Sequence, residues 1–445
     1  MRTKRLLTIA LAALVLVAAF FWMRPEAPSV SAADNVAGLT PGNAAEVGFS
    51  AERLARIDGV MQSAVDRGVI SGMVTLVARK GRIVQHKAYG MADRDNKTPM
   101  QTDAIFRLAS VSKIITTVAV MQLVEEGQIR ISDPISKFLP GFAKTTVAVP
   151  VAGSTTKFTV VPAARPLTVH DVLTKTTGIS YPVGPTQSLY EAQDFHQWYF
   201  ADKAEPMCAM IEKLPGLPFH AQPGEKWMNG YTADILGCVI EKLSGVTLEQ
   251  FMRTHIFDPL EMNDTYFFLP KDKASRLTAV YAAVDGGIKR SDGKWNEGQG
   301  DYVDGPRMAY SGGAGILTTS SDLARFLQML LNGGELDGAR IISPKTLELI
   351  TQNHVGPIFK NGKMGFGFNV EVSIPGGDTD RLGSIGDYGW AGAYFPRFLV
   401  DPSQDMFAIF MGQLTPYGGA SDLHEKFTNS VYQALVQPTR HPPTE

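Results

Sequence analysis

The sequence predicts an α+β protein in which one antiparallel sheet takes strands from both ends of the chain, terminal helices cover it, and a largely helical section is inserted between them. Three observations point there. Apolar residues alternate over Gly72–Ala78 and Ile83–Ala88, early in the chain, as in a hairpin. A second such pair, Phe398–Val400 and Met406–Met411, lies near the end. Helical spacing dominates the stretch between them.

Taken in order, Met1-Arg2-Thr3-Lys4-Arg5 is basic and Leu6 to Met23 is an unbroken run of apolar or weakly polar residues, the composition of an export signal. Val30-Ser31-Ala32 offers a small-residue cleavage site. The length of the run, with Arg24 directly after it, equally allows an uncleaved membrane tether through residues 6–23. Either reading of residues 1–33 places the body outside the cytoplasm, periplasmic or anchored facing that side. Residues 34–48 read as a linker. Beyond Ser50, Leu54, Ile57, Met61 and Ala64 form a helical stripe, and the first hairpin turns at Lys80-Gly81. Ile114, Val118 and Met121 carry helical spacing up to Glu125-Glu126-Gly127. Thr145–Val151 and Lys157–Val161 flank Gly153-Ser154 as a smaller hairpin, and Thr168-Val169-His170-Asp171 has the form of a helix cap. Asp234–Leu243 and Asp322–Leu331 are helical, separated by the polar, Gly-rich loop Asp285–Arg307, a candidate rim for a substrate mouth. The last hairpin turns across Asp401-Pro402-Ser403-Gln404, and Leu423–Leu435 closes the chain as an amphipathic helix.

Lys and Arg number 42 against 44 Asp and Glu, a net charge of −2, so no field favours nucleic acid. The eight histidines include no His-Glu-x-x-His pair and there are no Cys-rich knuckles, so neither a metal nor a cofactor is expected. Cys208 and Cys238 each lie in an apolar, helix-like segment. An oxidising compartment allows a bridge between them, but two buried thiols is the preferred reading.

The candidate chemistry begins at Ser110-Val111-Ser112-Lys113, where Ser110 falls at or just before the first turn of the 114–125 helix and shares a face with Lys113. A serine hydroxyl needs a neighbour to take its proton. Lysine can do this once burial or a nearby cation lowers its free pKa of about 10.4. The helix start adds free N–H groups where an acyl oxygen develops charge. Alone, Ser-x-x-Lys more often marks a helix-capping serine and a solvated lysine.

Further segments change that weighing. Arg107-Leu108-Ala109-Ser110-Val111-Ser112-Lys113, Leu173-Thr174-Lys175-Thr176-Thr177-Gly178-Ile179, Pro223-Gly224-Glu225-Lys226-Trp227, Gly312-Gly313-Ala314-Gly315-Ile316 and Tyr388-Gly389-Trp390-Ala391-Gly392 occur in the order seen in serine β-lactamase-related hydrolases. The chain resembles the branch holding class C β-lactamases, D-Ala-D-Ala carboxypeptidases and β-lactamase-fold esterases. The resemblance implies one β-lactamase/transpeptidase-like domain over residues 49–440, with a sheet part at about 49–108 and 310–440 and a helical part at about 109–309. It implies acylation of Ser110, deprotonation assisted by Lys113, an oxyanion hole from the N–H groups of Ser110 and Ala393, and deacylation by water.

Two departures follow. Relatives place a basic tyrosine two residues past the tryptophan of the Pro-Gly-x-x-Trp turn, and here that residue is Asn229. Either Tyr231 supplies the phenol through a shifted loop, or Asn229 occupies the position and turnover rests on Lys113, or Tyr231 is an ordinary packed aromatic. The unchanged spacing from Trp227 to Asp234 argues against a shift. Where β-lactamases and carboxypeptidases carry Lys-Thr-Gly, this chain has Trp390-Ala391-Gly392, a neutral aromatic rim suited to an apolar acyl or alcohol group. Arg397 or Arg381 could replace the missing cation, and simple packing is the plain reading of Trp390. Asn229, Trp390 and Gly392 are therefore the expected substrate contacts. The expected activity is hydrolysis of a small-molecule carboxylic ester or amide through acyl-Ser110. A D-Ala-D-Ala carboxypeptidase or β-lactamase is the alternative, and Asn229 motivates a third, a catalytically weak penicillin-binding-type protein.

Overall fold

Alternation along one strand decides the layering. In β1 (Gly72–Arg79) every residue is buried, Val74, Leu76 and Ala78 in one apolar cluster and Met73 and Val77 in another, so the strand has a core on each face. The computed structural model describes residues 38–294, 297–377 and 381–439, so the reading of residues 1–33 as signal or anchor lies outside them. No helix among the described residues is long and apolar enough to cross a membrane.

Helix α1 (Arg56–Asp66) buries Ile57, Met61 and Ala64, the stripe read from the sequence. β1 turns at Lys80 (φ 52°) and Gly81 (φ 70°), both left-handed as a two-residue hairpin requires, into β2 (Arg82–Asp93). On its other side β1 pairs antiparallel with β7 (Met406–Gly412), which continues through β6 (Arg397–Asp401) and β5 (Tyr388–Ala391). Both chain ends thus meet in one α+β sheet, antiparallel except for a two-residue parallel pairing of Thr40–Pro41 with β2. One face packs on α1 and on a helix at Leu423–Tyr432, the other on the inserted section.

At the centre of that section, α2 (Ser112–Glu125) is buried continuously from Ser112 to Met121. The sequence shows one stripe there, whereas the helix is enclosed on all sides by sheet and inserted helices. The small hairpin forms as read, from β3 (Thr146–Pro150) and β4 (Phe158–Pro162). The loop expected over 285–307 is partly regular: Tyr281–Val284 and Gly287–Arg290 pair as a hairpin, and the Gln299 carbonyl accepts two bonds from Arg107. That loop is tied to the strand leading into Ser110.

The cysteine reading is corrected. Cys208 and Cys238 form a disulfide, because the segment 207–211 packs on α3 (Thr232–Ser244) with the two Cα atoms 5.0 Å apart. The bridge closes a separation of 30 residues, which in the loop-entropy treatment stabilises the fold by about 3–4 kcal/mol. Reduction is therefore expected to lower the unfolding midpoint in urea, measured with and without dithiothreitol; an unchanged midpoint would refute that contribution.

Candidate active site

The segment that presents Ser110 is a strained elbow. Phe106–Arg107 is a short strand, Ala109 takes a left-handed φ of 43° although fully buried, and a single 3-10 turn over Ala109–Val111 leads into α2. Arg107 fixes the approach by bonding the carbonyls of Thr278 and Gln299. Ser110 is thereby held at the head of the buried helix, 7% exposed.

Lys113, one turn on, is completely buried, and its Nζ donates to Ser110 Oγ at 3.0 Å, to the Gly313 carbonyl at 2.7 Å and to Tyr181 Oη at 3.4 Å. Burial pulls its pKa down to about 8, with nearby Asp234 acting in the opposite sense. The pair anticipated from Ser-x-x-Lys is thus in contact. The bland alternative, a solvated lysine, does not describe a side chain with no exposure.

The Gly312-Gly313 turn that receives Lys113 is held by Asp234 on α3. Its Oδ1 accepts from Ser311 Oγ at 2.6 Å and from Gly313 N at 3.0 Å, and a Cβ on Gly313 would stand 2.5 Å from Asp234 Oδ2. Thr116 Oγ1 donates to the Gly312 carbonyl, clamping the turn to α2. Sequence reading assigned Asp234 only a place in a helix. Its neighbour lies 79 residues away.

The expectation for Tyr231 is corrected. Its hydroxyl donates to the Gln197 carbonyl at 2.8 Å, and its ring is fully buried against Phe195, Phe200 and Tyr181. With its hydroxyl bound to Gln197 and its ring enclosed, it is the packed aromatic of the three readings. The phenol that reaches Lys113 belongs to Tyr181, two residues beyond Ile179, which sequence reading missed. Asn229 is half-buried, with Oδ1 enclosed and without a hydrogen-bond partner among the described residues.

Gly392 serves close approach: a Cβ there would stand 2.1 Å from the Leu108 carbonyl, which pins the end of β5 beside the Ser110 segment. Ala393, next to it, packs against the cluster of Ala109, Val280 and Tyr394. Trp390 is packed against Trp227 and Phe366. Together with Trp227 and Phe359 it walls a cavity of about 350 Å³ that also touches Lys360, Glu371, Ala391 and Arg397. Of the two arginines considered as substitute cations, Arg381 is engaged by buried Asp387 through both terminal nitrogens, at 2.9 and 2.7 Å. Arg397 does border the cavity, and it shares Glu371 with Lys360. Behind Trp390 lies an unanticipated amine: Lys175, with φ 58°, is fully buried and its Nζ sits 3.9 Å from the Trp390 ring centroid. Burial, then the charge of Lys113, pushes its pKa well down.

Comparison with known proteins shows the family. The Beta-lactamase family matches residues 57–430. The chain is similar to an uncharacterised protein of Mycobacterium tuberculosis (strain CDC 1551 / Oshkosh), 30% identical over 371 residues, covering 79% of this chain and 88% of that protein. It is 28% identical over 410 residues to the lovastatin esterase of Penicillium rubens, covering 85% of this chain and 98% of the esterase. Among solved structures, EstCE1, a hydrolase with promiscuous acyltransferase activity, superimposes with a TM-score of 0.72 at 26% identity, covering 86% of this chain and 99% of the other. A strained serine elbow bonded to a buried lysine, in a chain whose residues 57–430 match the family, identifies this protein as a serine hydrolase belonging to the beta-lactamase family.

Proposed function

We propose that the protein hydrolyses carboxylic esters through an acyl-Ser110 intermediate. The observation that carries this reading is the aromatic cavity beside β5. Where a substrate carboxylate would meet a lysine in β-lactamases and carboxypeptidases, Trp390 stands instead, packed with Trp227 and Phe359 into one aromatic wall of a cavity whose charged side is Lys360, Glu371 and Arg397, and that wall suits an apolar acyl or alcohol group. In the reaction, Lys113 in its free-base form takes the proton of Ser110 as Oγ attacks the acyl carbon. The developing oxyanion is met by the N–H groups of Ser110 and Ala393, a role supported by the close approach of Gly392 to the Leu108 carbonyl and the packing of Ala393 against Ala109. The bond from carbon to the alcohol oxygen breaks, the alcohol departs to leave acyl-Ser110, and water then releases the acid.

Parallel assays with p-nitrophenyl butyrate and nitrocefin test the substrate class. Ester turnover with little or no nitrocefin hydrolysis is expected. Rapid nitrocefin turnover without ester cleavage would overturn the reading in favour of a β-lactamase, and stoichiometric labelling by a fluorescent penicillin without any turnover would favour a binding protein.

The Cys208–Cys238 disulfide supports the reading of the basic, then apolar N-terminus as an export signal or tether, since such bridges persist in oxidising compartments. Fractionation of cells producing the full chain tests this; recovery in the cytoplasm would refute it.

A further inference from the structure

We propose that Tyr181 supplies the phenol of this site, in place of the tyrosine missing at position 229, and that it relays a proton between Lys113 and the leaving oxygen. The proposal rests on the ester-hydrolase reading and adds a residue to it.

Position is the first argument. Tyr181 Oη stands 3.4 Å from Lys113 Nζ, the same nitrogen that is 3.0 Å from Ser110 Oγ, so one amine joins nucleophile and phenol. Two glycines make this contact possible. Gly178 has a left-handed φ of 79° and a Cβ there would lie 2.0 Å from the Ala221 carbonyl; a Cβ on Gly230 would lie 2.5 Å from the Ile179 carbonyl. The 178–181 segment therefore lies directly on the 229–230 backbone, where Ser180 Oγ also donates to the Asn229 carbonyl. Tyr231, edge-on at 5.0 Å, braces the Tyr181 ring from behind. A side chain at 229 no longer has to reach Lys113, because another segment already does.

The second argument concerns the kind of chemistry. Tyr181 is buried beside Asp234, and both effects raise its pKa, so the phenol holds its proton. It is thus suited to donate to an oxygen that becomes basic, and poorly suited to act as a free base. Lys113, as an ammonium, has three donors for three acceptors, Ser110 Oγ, Tyr181 Oη and the Gly313 carbonyl.

The protons balance. Ser110 gives its proton to the Lys113 amine as the Oγ–C bond forms. When the tetrahedral species collapses, the bond from carbon to the alcohol oxygen breaks and its electron pair goes to that oxygen. Tyr181 protonates it and takes a proton from the Lys113 ammonium, leaving phenol and amine as they began. In deacylation the water oxygen bonds to the acyl carbon while water gives a proton to Tyr181 Oη and the phenol gives its own to Lys113; the Oγ–C bond then breaks, its electron pair goes to Oγ, and Lys113 returns the proton to Ser110.

The test compares two esters of one acid, because p-nitrophenolate departs without a proton and ethoxide does not. In Tyr181→Phe, kcat/KM for ethyl butyrate is expected to fall by about 10²- to 10⁴-fold, the usual worth of general acid–base catalysis. For p-nitrophenyl butyrate the fall should stay below about tenfold, because the same step needs no acid. Equal losses on both esters would mark Tyr181 as structural and overturn the relay. Tyr231→Phe should show no selective loss on ethyl butyrate; a selective loss there would move the role to Tyr231 and overturn it as well. If Tyr181→Phe does not fold, the natural protein decides: kcat/KM over a series of butyrate esters should depend weakly on leaving-group acidity, and a steep dependence refutes the relay. Labelling of Ser110 by a fluorophosphonate separates the two claims. A labelled, ester-cleaving protein with uniform losses refutes Tyr181 alone, whereas no labelling and no cleavage of either ester refutes the hydrolase reading and this proposal with it.

Discussion

Ser110→Ala should lower kcat/KM for p-nitrophenyl butyrate by on the order of 10⁴- to 10⁶-fold, the range seen when the nucleophile of a serine hydrolase is removed. The size follows from the chemistry. Without Oγ no acyl-enzyme can form, and what remains is substrate orientation and, in the proposed mechanism, oxyanion binding by the N–H groups of positions 110 and 393. The fold should survive, since Ser110 Oγ is one of three acceptors of Lys113 and the bonds to Gly313 and Tyr181 persist. Losing one such bond costs about 1–2 kcal/mol. The informative measurement pairs the rate with the unfolding midpoint. A stable Ser110→Ala protein that cleaves esters at the original rate would eliminate Ser110 as nucleophile, and with it the mechanism given above.

Lys113→Met should reduce the same rate constant by about 10²- to 10⁴-fold and also abolish its pH dependence near pH 8. The sign follows from which form works. A base must be unprotonated, and burial brings Lys113 down to about 8 from the ordinary 10.5. The free amine therefore makes up only about one in ten molecules at pH 7 and dominates above pH 9. In the unsubstituted protein kcat/KM should rise through about pH 8 and then level off, and fall tenfold per unit below it. Lys113→Arg gives the sharper test. Arginine keeps the positive charge yet cannot be deprotonated in a protein, so it should be as inactive as methionine. Activity retained in Lys113→Arg, or a flat profile from pH 6 to 10 in the unsubstituted protein, would show that Lys113 acts through charge and that another group takes the proton.

These two residues were legible in the sequence because they lie three positions apart on one helix, where the backbone's own period brings the side chains together. The same holds for the hairpins at Lys80-Gly81 and Asp401–Gln404 and for the stripe Leu54, Ile57, Met61 and Ala64, all of them local patterns. Contacts between distant segments were not legible. Tyr181 is 68 residues from Lys113, and nothing in the spacing around Ile179 says that a phenol there will reach an amine on α2. The expectation placed on Tyr231 failed for the complementary reason: nearness in sequence to Asn229 does not determine which side of the Trp227–Asp234 turn a ring occupies. The cysteines show the same limit, since two apolar helical segments gave no sign that they would pack side by side.

Local order is written in short-range patterns of polarity and glycine, and the sequence by itself determined the α+β architecture, the sheet assembled from both chain ends and the Ser110–Lys113 pair. Only the tertiary structure decided what surrounds that pair: Asp234 behind the Gly312-Gly313 turn, Lys175 under Trp390, and Tyr181 against Lys113. The physical reason is that these partners meet only after loops of many residues have closed, and the closing is driven by burial of apolar surface spread over the entire chain rather than by any property of the residues that end up in contact.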